Sequence, residues 1–202
     1  LQQKLTYFEE SNMADFQEVL RSRRTVHRFT DQIIEQGIVD EALRAANQAP
    51  CHKHTHPWKF YILGPETRQI LTPTIAHLSA VKSEQKNSTT PEEDVKRAIG
   101  KVMQPPLLVA VTSRLSPEDP FREKEDYAAS VCALHNMVLS LWGNGVAAKW
   151  STGGLTRHAE TYTNLGINSE EQEIIGFVKA GYAEAFPAVK KPEVETTTKH
   201  LP

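Results

Sequence analysis

The sequence predicts a single α+β domain built around a buried sheet. Two observations carry that expectation. Helical and strand patterns alternate along the chain without repeats, and two strand-like runs, Leu107-Leu108-Val109-Ala110-Val111 and Ile174-Ile175-Gly176-Phe177-Val178, are apolar at almost every position. A run with no polar alternation belongs to a strand covered on both faces. The 202 residues suffice for a sizeable core, and 39% hydrophobic with 24% charged residues is ordinary for a globular chain.

The elements follow in order. Phe16, Val19 and Leu20 recur at helical spacing, with Asp15 as the expected N-cap. Ile38, Val39, Ala42, Leu43 and Ala46 predict a second helix that stops before Pro50. Trp58 to Leu63 reads as a strand closed by Gly64-Pro65, and a helix from Glu66 to about Val81 should follow. Residues 83–91 are polar and predict a mobile loop, followed by a helix from Val95 to Met103 and the strand at 107–111. The longest helix is expected from Glu125 to Trp142. Ala128, Val131, Leu134, Val138 and Leu141 form its core stripe, widened by Ala129, Cys132 and Met137. Gly143-Asn144-Gly145 should end it. A strand from Val146 to Ser151, a helix from Glu160 to Leu165 and the strand at 174–178 complete the domain. Three segments result: an N-terminal extension at 1–14, a domain at 15–186 and an extended arm at 187–202, rich in proline and charge.

Composition excludes several classes. A net charge of −2 argues against a nucleic-acid partner. No apolar run approaches the roughly 20 residues of a membrane span. The start Leu1-Gln2-Gln3-Lys4 has no signal-peptide pattern and reads as a fragment or appended segment, with Met13 as a candidate start. Cys51 and Cys132 make no disulfide framework, Cys132 reads as a buried thiol, and a reducing cytoplasm is expected.

Three stretches carry candidate chemistry. Arg21-Ser22-Arg23-Arg24-Thr25-Val26-His27-Arg28-Phe29 gathers guanidinium forks and hydroxyls suited to phosphate, although cations at a helix C-terminus are the plainer reading. Ala49-Pro50-Cys51-His52-Lys53-His54-Thr55-His56-Pro57-Trp58 offers either a metal site at His52, His54 and His56 or a loop over a planar ligand. The histidines face one side only if extended, and the bracketing prolines argue for a turn. Gly143 to Gly154 sets glycines, Ser151 and Thr152 at a strand end, without the dinucleotide or Walker signatures. The acidic group Glu123, Glu125 and Asp126 fits a helix start and suggests no catalysis.

In order and spacing these stretches resemble the FMN-dependent nitroreductase family, and in particular its small single-domain bacterial NAD(P)H nitroreductases. The match rests on Arg23-Arg24-Thr25 through Phe29, Ala49-Pro50-Cys51-His52 through Pro57-Trp58, the long helix with Gly143-Asn144-Gly145, Trp150-Ser151-Thr152-Gly153, and the closing strand to Gly181. The resemblance implies a three-layer fold, with a central, mostly antiparallel sheet flanked by helices and an arm embracing a second subunit. It implies a homodimer with FMN at the interface and NADH or NADPH as donor. Arg23, Arg24 and Thr25 would bind FMN from one chain, Gln48 and His52 from the partner, and Trp150, Ser151 and Thr152 would line the remaining side. Ser140, Leu141, Trp142, Gly143, Asn144 and Gly145 would touch the nicotinamide nucleotide. Gln48 stands where close relatives can carry arginine, Thr25 replaces the commoner serine, and His56, Lys149 and Ser151 also depart from the pattern. The implied reaction is ping-pong hydride transfer to a nitroaromatic, a quinone or another small acceptor, with no catalytic side chain. Flavin reduction, dehalogenation, flavin breakdown, non-catalytic flavin binding and a histidine metal site are the alternatives.

Overall fold

The computed structural model describes residues 13–202. Of the N-terminal extension, residues 1–12 lie outside the described residues. The chain folds as α1 (Met13–Ser22), α2 (Gln36–Asn47), β1 (Trp58–Ile62), α3 (Pro65–Ile70), α4 (Thr72–Gln85), α5 (Pro91–Met103), β2 (Leu107–Arg114), α6 (Pro120–Gly143), β3 (Ala147–Ser151), α7 (Ala159–Leu165) and β4 (Gln172–Gly181). Each expected strand is present.

The four strands form one sheet in the order β1-β2-β4-β3, and every pairing is antiparallel. β2 and β4 are therefore central, and their two faces serve two cores. On one face Val109, Val111, Ile175 and Val178 pack with Val39, Ala42 and Ala46 of α2 and with Leu134, Met137, Val138 and Leu141 of α6. On the other, Leu108, Ala110, Ile174 and Phe177 pack with Leu71, Ile75, Val102 and Ile167. Alternate residues of one apolar run thus enter opposite cores. A bulge between Val111 and Thr112 shifts the β2–β4 register.

Several expectations are corrected. α1 already runs from Met13, so Asp15 lies within its first turn rather than at its cap. The single helix expected over 66–81 is two, α3 and α4, separated at Leu71; Pro73 supplies no N–H to a continuous ladder but fits the first turn of a new helix. The loop expected over 83–91 shrinks to residues 86–90. The Ser83 and Ser88 hydroxyls both donate to Asp94, at 3.0 and 2.6 Å, and tie α4 to α5. α6 starts at Pro120, capped by Asp119, which accepts from the Arg122 N–H at 3.0 Å. Ala128 and Cys132 are exposed, because the buried stripe of α6 runs through Asp126, Ala129, Ser130, Ala133, Leu134, Met137, Val138 and Leu141.

Asp126 is the clearest departure. Its side chain is 1% exposed, and it accepts from the Thr55 hydroxyl at 2.6 Å, from Arg114 at 3.1 Å and from Arg122 at 3.3 Å. Burial raises its pKa, and the hydrogen bonds and charges of Thr55, Arg114 and Arg122 outweigh that, leaving it below the usual carboxylate range. It pins the loop before β1 and the end of β2 to α6. A depressed folded pKa stabilises above the unfolded value and is lost as pH falls through the folded one. Asp126→Ala should therefore cost roughly 2 kcal/mol near neutral pH. In denaturant titrations the gap from the wild type should narrow below about pH 4.

A second prediction concerns β4. A Cβ at Gly176 would collide with the Trp150 indole, whose Nε1 donates to the Ile175 carbonyl at 3.1 Å. Gly176→Ala should lower stability by about 1–3 kcal/mol and shift Trp150 fluorescence.

Candidate functional site

α1 stops at Ser22, so Arg23 and Arg24 lie past the helix rather than on one of its faces. The chain then turns along the outer edge of β3. Thr25 pairs in parallel with Ala148, and the Val26 N–H donates to the Ala148 carbonyl at 3.3 Å. Val26 is buried, Phe29 pairs with Ala183, and the Phe29 side chain, with Pro106, fills the space a Cβ at Gly181 would need. Two apolar anchors thus fix the segment and place Arg23, Arg24 and Thr25 at its leading end. Arg24 Nη1 donates to the carbonyls of Arg21 and Arg23, at 2.7 and 3.0 Å. Arg21 pairs on the surface with Glu18 at 3.8 Å, as helix-end cations do. Among the described residues neither Arg23 nor Arg24 forms an ion pair with a carboxylate.

Trp150 and Ser151 close β3, two and three positions beyond the Thr25 contact, and Thr152 follows. At about 3.3 Å per residue, Trp150 lies within one nucleotide's length of the arginine turn. Ser151, Thr152, Gly153 and Gly154 border a cleft of about 680 Å³, which α4 and α5 wall on the other side. That volume is in the range of small-molecule sites.

The histidine stretch is a tight turn. Lys53, His54 and His56 all adopt positive φ, at 51°, 54° and 42°. The Trp58 indole donates to Asn47 Oδ1 at 2.9 Å and fastens the turn to the end of α2. Cys51 Sγ lies 3.7 Å from His56 Nδ1, and the His54 and His56 rings are 6.3 Å apart. Among the described residues no group of three His, Cys, Asp or Glu side chains is arranged to hold a metal ion. Gln48 caps the C-terminus of α2 and is exposed, as is His52. Among the described residues no side-chain hydrogen bond joins either to the arginine turn or to Trp150, Ser151 and Thr152.

The Ser140–Gly145 stretch is chiefly a helix end. Leu141 is fully buried, Trp142 Nε1 donates to the Ser22 hydroxyl at 2.9 Å, and the Asn144 side chain donates to the Ser140 carbonyl at 2.9 Å. Only Gly143, Asn144 and Gly145 are exposed.

Sequence reasoning passed over a group of cations beside these residues. Lys149 Nζ lies 3.1 Å from His27 Nδ1, and Lys149 stands directly opposite Lys179 across β3 and β4. The Lys149 charge, then burial and Lys101, hold the His27 imidazole below its ordinary pKa. The available signal was a lysine set among apolar residues in each strand, in Ala148-Lys149-Trp150 and Val178-Lys179-Ala180.

A three-layer α+β domain with a cationic turn on its sheet edge is a frame that other proteins share. The nitroreductase family profile matches residues 20–182, and the chain belongs to that family. Membership makes it an oxidoreductase by class. YfhC of Bacillus subtilis, provisionally named an NAD(P)H nitroreductase, is 26% identical over 176 residues, covering 86% of this chain and 87% of its own. A nitroreductase-like protein of Bacillus cereus superposes with a TM-score of 0.80 at 25% identity, covering 95% of this chain and 98% of its own. A nitroreductase-type protein of Desulfovibrio desulfuricans, solved in complex with FMN, shares the fold at a TM-score of 0.71 and 19% identity, covering 96% of this chain and all of its own. Among the described residues no helix is long and apolar enough to cross a membrane.

Removing the Lys149 charge should release the His27 ring. In Lys149→Met the His27 pKa, followed by NMR titration of its ring protons, should rise toward the ordinary value of about 6.5.

Proposed function

We propose that the protein is an FMN-dependent NAD(P)H oxidoreductase that acts as a homodimer. One observation carries the reading: the Thr25–Ala148 pairing sets the arginine turn and Trp150–Thr152 on the same strand edge. A flavin mononucleotide needs a phosphate clamp at one end and a flat, partly apolar wall at the other. Arg23, Arg24 and Thr25 have the donor chemistry for the clamp, since guanidinium forks match phosphate oxygens. Trp150 is 39% exposed and stays fixed through its bond to Ile175, so it supports a planar ring system. Ser151 and Thr152 add short donors at the strand end.

When bound, FMN supplies the redox chemistry, accepting hydride from NADH or NADPH and passing it to a small acceptor such as a nitroaromatic or quinone in a ping-pong cycle. The chain's part is to bind, orient and shield. Gln48 and His52 are exposed, and in a dimer with the site at its interface they would reach the FMN held by the second copy. The arm at 187–202 supports the same arrangement. Val189, Val194 and Leu201 stay exposed in one chain and would be covered by lying across another. The Desulfovibrio relative's FMN complex and the name of YfhC favour flavin and nicotinamide chemistry over a metal site.

Purified protein should show the visible absorption of an oxidised flavin and lose it on addition of NADH or NADPH. The double variant Arg23→Ala, Arg24→Ala should purify folded and largely free of FMN. Stoichiometric FMN in that variant, measured by absorbance against protein, would contradict the clamp.

A further inference from the structure

The antiparallel register sets Lys149 directly opposite Lys179. Opposed like charges on neighbouring strands weaken a sheet. Lys101 of α5 acts on the same pair from across the cleft. Burial first, then Lys149 and Lys101, push the Lys179 pKa down to about 8. Lys179 is half-buried and lines the 680 Å³ cleft with Lys82, Arg97 and Lys101. Asp94 is the carboxylate of that lining, and it is already held by Ser83, Ser88 and Arg97. Among the described residues no carboxylate forms an ion pair with Lys101, Lys149 or Lys179.

A fold gains nothing in stability by holding these ammonium groups together, one of them half out of water. A bound anion would remove both the repulsion and the desolvation cost. We infer that the cleft between α4, α5 and the β3–β4 edge is an oxyanion subsite, in which Lys179 and Lys101, backed by Lys149, hold a carboxylate or phosphate monoester of the reacting small molecule. The ammonium group suits either, because it acts as a compact charge with three rotatable donors. Two sources share this chemistry: an acceptor bearing a carboxylate and the 2′-phosphate of NADPH. The subsite is distinct from the clamp at Arg23, Arg24 and Thr25, and its place beside a flavin rests on the function proposed above. Ser151 and Thr152 border the cleft and connect the two.

The test is calorimetric titration of the FMN-loaded protein with benzoate and with adenosine 2′-monophosphate, using benzyl alcohol and adenosine as neutral counterparts. At least one anion should bind and its neutral counterpart should not. Lys179→Met should weaken that binding about tenfold or more, keep the FMN-to-protein ratio and melt no lower than the wild type, since a repulsion is removed. Lys179→Arg should retain binding. The stronger arm identifies the source. Failure of both anions to bind the wild type overturns the subsite. Loss of FMN from Lys179→Met also overturns it, because the lysines would then serve the cofactor. A wild-type protein that takes up no FMN defeats the flavoenzyme reading alone, and the same titrations on the flavin-free protein still decide the subsite.

Discussion

The central strands β2 and β4 turn apolar side chains to both faces of the sheet, and helices must cover both. That requirement leaves the sheet edges as places where the backbone is open. β3 is an edge strand, and an uncovered edge invites pairing with whatever extended chain is near. The segment after α1 takes that place over a short length, anchored by Val26 and Phe29. The arginine turn stands at β3 because an edge needed covering, and the cleft beside Ser151 exists because α4 and α5 cover the opposite face.

Charge is divided in the same structural way. Arg68 is buried and donates to the carbonyls of Leu63 and Pro105 at 2.8 and 2.6 Å, fixing α3 to the entry of β2. Arg114 and Arg122 are committed to Asp126, and Arg97 to Asp94. These cations hold the frame. Arg23 and the lysines of β3 and β4 have no such carboxylate among the described residues, and they flank the strand end where Ser151 and Thr152 lie. The contrast separates structural cations from those available to a ligand.

Much of this was legible in the sequence because the signals are local. The apolar runs named β2 and β4, and the 3.6-residue stripe named α6. The arginine turn was found by composition alone, since guanidinium and hydroxyl groups crowd a few positions. The break at Leu71 was missed because Leu71, Ile75 and Leu78 keep helical spacing across it and only Pro73 marks the restart. Asp126 was misread because the helix dipole gives a sufficient local reason for an acid there, whereas its partner Thr55 is 71 residues away. The Lys149–Lys179 pair was invisible because it depends on strand register, which no single strand encodes.

The Trp142 ring meets Phe186 edge to face, with centroids 5.6 Å apart, at the root of the arm. Trp142 is itself bonded to Ser22, the last residue of α1. The arm therefore leaves the domain from a fixed post beside the arginine turn. Residues 187–202, fully stretched, span at most about 55 Å. Residues 187–202 are thus a tether of known origin, and whatever surface they themselves clasp lies inside that radius.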